Sequence, residues 1–596
     1  MSRNVSNRYK ELMAGLQLPA ILFKITFGIE SVGASADAEI STENPETEFS
    51  NVEAITDGYL PTIDYMTQEW NTFPLDQSKT VIVKYGNVQK NMFCPDILSN
   101  SSANFTNSIP KSTILFSEPR DMLGLTLIFD PLSFTYGSSV TVKGYNNDAL
   151  ISEETTYPES YTHVTGSLNG VTKITVEIGG TNLPFARVRL AQLYFGIIDI
   201  HTEKNTTEIV QEFKISPINN ELYSATVTYK MDNFDKVYDI DNPQGIYEYI
   251  TDQQPLKIEY SLDGNEWITA GNLLTDGQAK IENNLTEIKG IDKIQFMNDT
   301  YYKDVFRTTA ISLYDLAMNV LNDFGWELNG AGEYPYDLDE GLKDIYTLGT
   351  LPIAKHSECL QMIAFVANMG FWVDDRGYIC IKPLPDTVVD TDYYVDFSLS
   401  ATPPTPEKIE PLAQIDMTVH NYKAKGSDEL YEAEFNFVGT QTIQVDYDLS
   451  KSQSASVTTR GTIDSAVYYG RYAEITVTAT GRFTLTITGD VIKDNTSTYS
   501  KVYSDKGEVA PYDNPLITDE TLAENCATYI GNYLNCRIRY KVEWVEDYRI
   551  NVGDLIRIKS NFTENLIGRV IRIKTSEPKL LGELEVVIVG TQSNNG

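Results

Sequence analysis

The segment 511–590 constrains the fold of this chain more than any other part of the sequence. A helix-like run at 518–535 leads into strand-like segments at 536–544, 552–558, 569–573 and 581–586. The second strand-like segment begins with Gly553-Asp554, and a glycine beside an aspartate is typical of a tight corner. Short strands joined by such corners favour closure of the sheet, so we expect a β-barrel here.

The length of 596 residues predicts about three to five domains, each large enough to bury its own core. The net charge of −36 argues against a basic surface that binds nucleic acid or an anionic membrane. The negative charge does not exclude a protein with a lumen through which DNA merely passes, because an acidic lumen would repel the duplex and keep it from binding. The rival interpretation is that the acidic residues cover the outside and only keep the protein soluble.

The five cysteines and four histidines show no spacing typical of a disulfide framework or a zinc site. No charged segment followed by an apolar run opens the sequence, so we expect no signal peptide. The apolar stretch 16–27 is interrupted by Pro19 and Lys24 and is too short to span a bilayer. Assembly in a bacterial cytoplasm fits these features.

Period-two alternation predicts a β-sandwich in the first third of the chain, with strands near 125–129, 139–143, 172–178 and 186–190. A long loop at 146–169 carries Tyr157, Tyr161 and His163. Loops at one end of a sandwich are where such domains bind. We therefore expect these residues to contact a glycan or a neighbouring subunit, with Tyr161 the better candidate for stacking on a sugar. The alternative is a sandwich that serves only as a spacer.

Aspartates and asparagines cluster at 232–235 and 241–247, within a strand-rich region at 197–304. A calcium loop would need a glycine at its sixth position and a bidentate glutamate at its twelfth, and both are missing. We therefore expect turns in which these side chains bind their own backbone, rather than a metal site.

Two amphipathic segments predict helices at 311–325 and 357–369. Ser312 can cap the first helix with Asp315 as its partner, and Gly370 is placed to end the second. A strand pair follows at 371–381, and its turn contains Asp374 and Asp375. These carboxylates could be a catalytic pair, but a solvated turn is the interpretation we favour.

The segment 396–410 is rich in proline, threonine and serine and is predicted to be a linker. Beyond it, threonines alternate with apolar residues at 474–480 and 483–488, on either side of Gly481. This pattern predicts a hairpin with one buried and one wet face. We expect it to belong to a small peripheral domain, about 411–505, that can be deleted.

The sequence contains no nucleophile elbow, phosphate-binding glycine loop, dinucleotide-binding glycine motif or paired-histidine zinc motif in the right context. The 83 acidic residues always include pairs that could hydrolyse a glycan, but nothing in the pattern selects one pair. We predict that the protein is not an enzyme and that it has no catalytic, cofactor-binding or metal-binding residues.

Two blocks of the sequence, 196–400 and 511–590, resemble baseplate hub proteins, the tail-associated or tail tip proteins of long-tailed bacteriophages. The first block carries turn motifs similar to those of the first hub barrel, Asp232-Asn233-Phe234-Asp235 and Asn242-Pro243-Gln244-Gly245-Ile246-Tyr247. Lys236 departs from the family pattern, which usually has a turn glycine there. The strand order from about residue 125 to 196 is similar to discoidin-like sandwiches, which often bind carbohydrate.

These observations predict a mainly β, multidomain chain. We expect an N-terminal segment and a discoidin-like β-sandwich at 1–195, a first hub β-barrel at 196–305 and a small α/β domain at 306–400. An inserted β-sandwich-like domain at 401–510 and a helix with a second hub β-barrel at 511–596 complete the chain.

The hub resemblance implies a structural virion protein at the tail tip, assembled in the cytoplasm of the bacterial host. It implies a homotrimer that closes the tail tube, docks to the distal tail protein and the tape measure protein, and opens for DNA ejection. Tail fibre or receptor-binding proteins and a host cell-surface glycan are further candidate partners, while DNA only passes through the lumen. The alternatives are a carbohydrate-binding β-sandwich surface protein, a receptor-binding adhesin or, third, a glycan hydrolase.

Overall fold

The structure, a computed structural model, describes residues 3, 5–15, 21–31, 34–41, 47–49, 66–69, 91–95, 97–129, 133–242, 245–325, 336–390, 393–397, 400, 403–560, 566–577 and 581–591. Strands in several separate sheets dominate these residues, which confirms the mainly β, multidomain fold class. No helix among them is long and apolar enough to cross a membrane.

A 14-stranded sheet, the body sheet, contains strands from both ends of the chain. Its main path runs through Gly196–Thr202, Leu22–Glu30, Pro255–Ser261, Ile268–Thr275, Leu285–Ile291, Thr226–Asp232, Thr206–Lys214, Leu566–Glu577, Leu581–Thr591, Ile538–Val545 and Thr405–Lys408. Three further strands pair beside this path, Lys280–Glu282, Tyr394–Asp396 and Leu555–Lys559. The expected linker at 396–410 thus contributes a strand to the sheet.

The two blocks expected to form hub barrels meet edge to edge in this sheet. Thr206–Lys214 pairs antiparallel with Leu566–Glu577, so that Phe213 lies opposite Ile573. Among the described strands the path is open, and two closed barrels are not seen. Closure of either block would need the strand edges that here bind the other block, because each edge can pair only once.

The N-terminal sandwich consists of residues 97–195 and the short elements at 34–41. It is inserted in the sequence between two strands of the body sheet that are neighbours in space. Leu22–Glu30 precedes it and Gly196–Thr202 follows it, and these two strands pair with each other. Its larger sheet has the order Glu39–Ser41, Lys111–Met122, Leu168–Thr181, Gly137–Asn146 and Ala149–Thr156, and its smaller sheet has the order Leu190–Tyr194, Thr126–Phe129 and Thr162–Val164. A separate parallel pair joins Met66–Glu69 to Asn91–Cys94.

Three helices, Leu313–Asp323, His356–Ala367 and Glu520–Leu534, share the largest apolar core among the described residues, and we call them the helical unit. The Ser312 hydroxyl accepts from the Asp315 amide at 3.0 Å, which confirms the predicted cap. The second helix ends at Asn368, whose φ of 57° is left-handed, and not at the predicted Gly370, which begins the next strand. Asparagine tolerates this conformation and can end a helix as glycine does.

Short elements complete this helical unit and the N-terminal segment. Three-stranded sheets join Tyr336–Leu338, Ile379–Lys382 and Gly370–Val373, and join Ser497–Val502, Leu412–Val419 and Glu508–Tyr512. Two-stranded pairs join Thr300–Tyr301 to Ala354–Lys355 and Ile311–Ser312 to Tyr346–Thr347. The remaining helices of the described residues are Asn7–Met13, Ala34–Asp37 and Lys293–Phe296, with 3-10 turns at Tyr247–Tyr249 and Glu340–Asp344.

The turn after Thr226–Asp232 supports the predicted turns over a calcium loop. Lys236, at the position where a glycine is usual, has a φ of 62°. The Asn242 side-chain amide donates to the Lys236 carbonyl at 2.8 Å, and the Asn233 side-chain oxygen accepts from the Tyr238 amide at 3.2 Å. The amide side chains therefore bind backbone groups of their own turn.

The arm, residues 422–494, is built on two very long strands, Tyr422–Asp446 and Tyr472–Asp494, with Ser450–Val457 and Gly461–Tyr468 paired to the second. The predicted hairpin at 474–488 is therefore wrong, because these residues lie on one continuous strand. Gly481 has a φ of 144°, which interrupts the regular strand without reversing the chain. The threonine face is exposed at Thr478, Thr480 and Thr488.

The segment that can be deleted is shorter than the sequence suggests. Leu412–Val419 lies in the core of the helical unit, so removing 411–505 would take out four buried side chains, each worth ~2–5 kcal/mol. We expect replacement of 423–493 by Asn-Gly to give a soluble protein that still unfolds cooperatively, because Tyr422 and Asp494 already face each other. We expect the 411–505 deletion to be insoluble. The yield of soluble protein compares the two deletions, and thermal unfolding followed by circular dichroism tests the shorter one. Equal soluble yields would contradict this boundary.

Candidate functional site

The long loop predicted at 146–169 is wrong, because it contains the strands Ala149–Thr156 and Thr162–Val164, and the three residues predicted to form a binding site do not share one environment. Tyr157 is 72% exposed in the loop after Ala149–Thr156. Tyr161 is half-buried, and its ring meets the ring of Tyr136 edge-on at 5.4 Å. His163 lies on a strand with its Nε2 atom 2.7 Å from the Thr156 hydroxyl, and burial lowers its pKa. Of the three, Tyr157 alone presents most of its side chain to solvent.

Strand register places Tyr157 among other loops at one end of the sandwich. Thr156 pairs with Val140 near the start of its strand, while Thr181 pairs with Gly137 at the same level. The Ser99 amide donates to the Ala186 carbonyl at 2.9 Å, which attaches a fourth segment. We call this group the loop end and define it as residues 97–104, 133–136, 157–161 and 182–186.

Sequence reasoning missed the most exposed apolar side chains of the loop end. Phe134 is 73% exposed and Phe185 is 66% exposed, and Leu98 and Leu183 are also exposed. Both phenylalanines lie in uncharged, turn-rich segments between alternating strands. This uncharged, turn-rich composition is the signal that could have identified the two phenylalanines, because a phenylalanine in a turn is not expected to contribute to the core.

A second group of polar side chains lies where the N-terminal segment meets the body sheet and the turn at 374–377. The Arg3 guanidinium, 7% exposed, donates to the Asp375 carboxylate at 3.0 and 3.1 Å. It also donates at 2.9–3.1 Å to three backbone carbonyls, those of Ala270, Tyr548 and Ile550. One arginine therefore ties the N-terminal segment to both blocks of the body sheet.

Two buried carboxyl groups, Glu546 and Glu577, flank the hydroxyl of Tyr548 at 2.6 and 2.9 Å. The Tyr548 ring stacks on Tyr260 of the first block at 3.9 Å. Burial and the nearby Glu577 raise the pKa of Glu546 to about 8, and burial also raises the pKa of Glu577. A hydroxyl has one proton to donate, so both contacts can be hydrogen bonds when one carboxyl is protonated. Both carboxyls are nearly inaccessible, so they cannot reach a substrate in this conformation.

Asp337, Asp374 and Cys380 place possible ligand atoms within 4.8 Å of one another. Arg376 lies 2.9 Å from Asp337 and 2.6 Å from Asp374, and Lys382 lies 2.6 Å from Asp337. Two cations therefore already neutralise the two carboxylates, so this set is a salt-bridge cluster. Asp374 also accepts from the Tyr378 amide at 2.9 Å, as expected of a turn, but the turn is not solvated as predicted, because the side chains of Asp374 and Asp375 are 16% and 29% exposed and both pair with arginines.

No protein-family model matches the sequence, and no curated protein matches it. Among solved structures, a 43 kDa tail protein of prophage MuSo2 from Shewanella oneidensis is similar at 10% identity and a TM-score of 0.36, covering 65% of this chain and 95% of that chain. A tail protein from Neisseria meningitidis has 6% identity and a TM-score of 0.38, with coverage of 65% and 93%. Prophage tail protein gp18 from Listeria monocytogenes has 7% identity and a TM-score of 0.35, with coverage of 66% and 92%. TM-scores below 0.5 do not define the function of this chain.

Proposed function

We propose that this chain is a structural protein of a bacteriophage tail and acts as a baseplate hub at the tail tip. The observation that carries the proposal is the edge-to-edge pairing of Thr206–Lys214 with Leu566–Glu577. It joins the two blocks whose residues resemble hub proteins, although residues 401–510 separate them in sequence. A hub needs such a rigid joint, because it must hold the end of a tube closed.

The buried contacts of Arg3 and of Tyr548 support a mechanical role. They tie the N-terminal segment and both blocks together with hydrogen bonds that are buried or partly buried. A group of this kind fixes one arrangement of the parts when all its members are satisfied. The inaccessibility of the Glu546 and Glu577 pair also fits a protein that is not an enzyme.

In the proposed assembly the chain forms a homotrimer, and its two blocks supply six β units to a ring. The ring would dock to the distal tail protein, hold the end of the tape measure protein and open for DNA ejection. Tail fibre or receptor-binding proteins would attach outside the ring. The excess of 83 acidic over 47 basic residues would keep DNA from binding to the lumen.

The mass of the purified full chain tests this proposal. We expect a trimer by light scattering and a ring with a central opening by electron microscopy. A stable monomer that binds glycan would instead support a carbohydrate-binding surface protein or adhesin, which the exposed ring of Tyr157 favours. Cleavage of peptidoglycan or polysaccharide by the purified protein would overturn the prediction that it is not an enzyme.

A further inference from the structure

The loop end lies at the end of the sandwich away from the body sheet. The chain enters and leaves the sandwich at the other end, where the Ser31 amide donates to the Phe195 carbonyl at 2.9 Å. There the Thr126 hydroxyl also donates to the Gly196 carbonyl at 2.8 Å. The strand Thr126–Phe129 runs from this attachment towards the loop end. The loop end is therefore separated from the body sheet by the length of the sandwich.

Two phenylalanines of the loop end are held outward in an unusual backbone conformation. Phe134 has a φ of 57° and Phe185 a φ of 54°, which is rare for bulky residues. The Asn182 side chain accepts from the Tyr136 amide at 3.0 Å and donates to the Phe134 carbonyl at 3.3 Å. Strain that is held in place by neighbouring segments is typical of functional surfaces.

A second set of hydrogen bonds fixes the segment that carries Phe185. The buried Ser99 hydroxyl accepts from the Ala186 amide at 3.0 Å and donates to the Leu183 carbonyl at 3.2 Å. The exposed leucines Leu98 and Leu183 flank these bonds. The exposed apolar side chains are therefore carried by loops whose polar groups hydrogen-bond to one another.

The loop end is nearly free of charge in a strongly acidic protein. In the four segments that define it, Glu159 is the one Asp, Glu, Lys or Arg, whereas such residues make up 22% of the whole chain. Depletion of charge together with enrichment of aromatic residues marks the core of a protein interface. Loops rich in serine and asparagine around aromatic anchors also resemble antibody paratopes.

The chemistry of this surface fits a protein partner better than a sugar or a lipid. The side chains of Ser99 and Asn182 bind groups of the loops themselves, and Leu98 and Leu183 add apolar surface around the aromatic rings, which suits an apolar protein surface better than a sugar covered with hydroxyls. An anionic bilayer would repel a chain with a net charge of −36. We propose that the loop end docks on a second copy of this chain.

Self-association explains why this end lacks charge. Two copies, each at −36, repel one another over most of their surfaces, and an uncharged end gives them a place to meet. The four segments contain about two dozen residues, roughly the number on one side of a standard interface. Contacts between identical chains are also the commonest basis of oligomers.

Sedimentation velocity of the full chain over a concentration series, at low and high NaCl, tests the proposal. We expect association that strengthens with salt, because salt screens the repulsion. The variant Phe134→Ser/Phe185→Ser should need at least a tenfold higher concentration for half-association. Phe234→Ser is the matched control, because Phe234 is 71% exposed in a turn outside the sandwich and its loss should change nothing.

The proposal is overturned if the double variant, with an unchanged circular dichroism spectrum, associates as the original chain does, or if the original chain does not associate with increasing concentration. Binding of the original chain but not of the double variant to dextran would assign the surface to glycan instead. The same result with phosphatidylcholine vesicles would assign it to lipid. A trimer held by other surfaces would persist in the double variant, so the outcome is independent of the proposed hub function.

Discussion

Replacing Arg3 with methionine is expected to lower the free energy of unfolding by ~3 kcal/mol, because one partner of a buried ion pair is removed. The substitution leaves the Asp375 carboxylate and the carbonyls of Ala270, Tyr548 and Ile550 without this donor. Methionine keeps most of the volume of the arginine stem, so the loss reports on the polar contacts. Urea unfolding of the two proteins measures the difference.

Arg8→Met is the matched control for this prediction. Arg8 is 67% exposed and pairs with Asp263 at 2.6 Å. Exposed pairs contribute ~0–1 kcal/mol, so this variant should unfold almost as the original chain does. Equal losses in the two variants would show that Arg3 does not join the blocks.

The loss of unfolding free energy caused by Arg3→Met should also depend on pH. Burial raises the pKa of Asp375, and Arg3 counteracts this rise. Without Arg3 the carboxyl should take up a proton more readily, and a protonated carboxyl needs no cation. We therefore expect the difference between the two proteins to be small in acid and to grow as the pH rises.

Replacing Glu546 with glutamine is expected to stabilise the protein in alkaline solution by as much as ~5 kcal/mol. The pKa of Glu546 is raised from 4.5 to about 8 in the folded chain. A carboxyl of this kind contributes stability that is fully present below pH 4.5 and is lost as the pH rises through 8. Glutamine stays neutral and can still hydrogen-bond to Tyr548, so its variant should lack this loss.

Unfolding midpoints in urea between pH 5 and pH 9 measure this second effect. The original chain should lose stability over this window, and the Glu546→Gln curve should be flatter. Glu282→Gln is the control, because the side chain of Glu282 is 73% exposed. Parallel curves for the original chain and the Glu546 variant would show that this carboxyl is not protonated in the folded state.

Local sequence signals were enough wherever a few neighbouring residues determine the structure. The cap at Ser312 and the turn at Asp374 belong to this class, since their partners lie within four residues. Gly481 misled the sequence interpretation because a glycine between two alternating segments is typical of a hairpin. Its strand continues because it pairs along its length with 422–446, and that register cannot be read from residues 474–488 alone.

The loop end could be predicted only in part from the sequence, for a similar reason. Tyr157 lies in a segment that could be predicted as a loop, whereas the exposure of Phe134 depends on Asn182, which lies nearly fifty residues away. Strands could be predicted in both blocks of the body sheet, but which strand edges pair depends on the whole arrangement. Arg3 gave no signal, because a single arginine near the start of a chain has no pattern around it.

The body sheet pairs strands that lie far apart in the sequence, and this has a consequence for synthesis on the ribosome. Leu22–Glu30 can pair with Gly196–Thr202 while most of the chain is still unmade. The edge of Thr206–Lys214, however, must wait for Leu566–Glu577, and Arg3 must wait for the carbonyl of Ile550. Contacts over such long separations form slowly, and an unpaired strand edge can aggregate in the meantime. Nascent chains of this protein should therefore depend on chaperones until Leu566–Glu577 has left the ribosome.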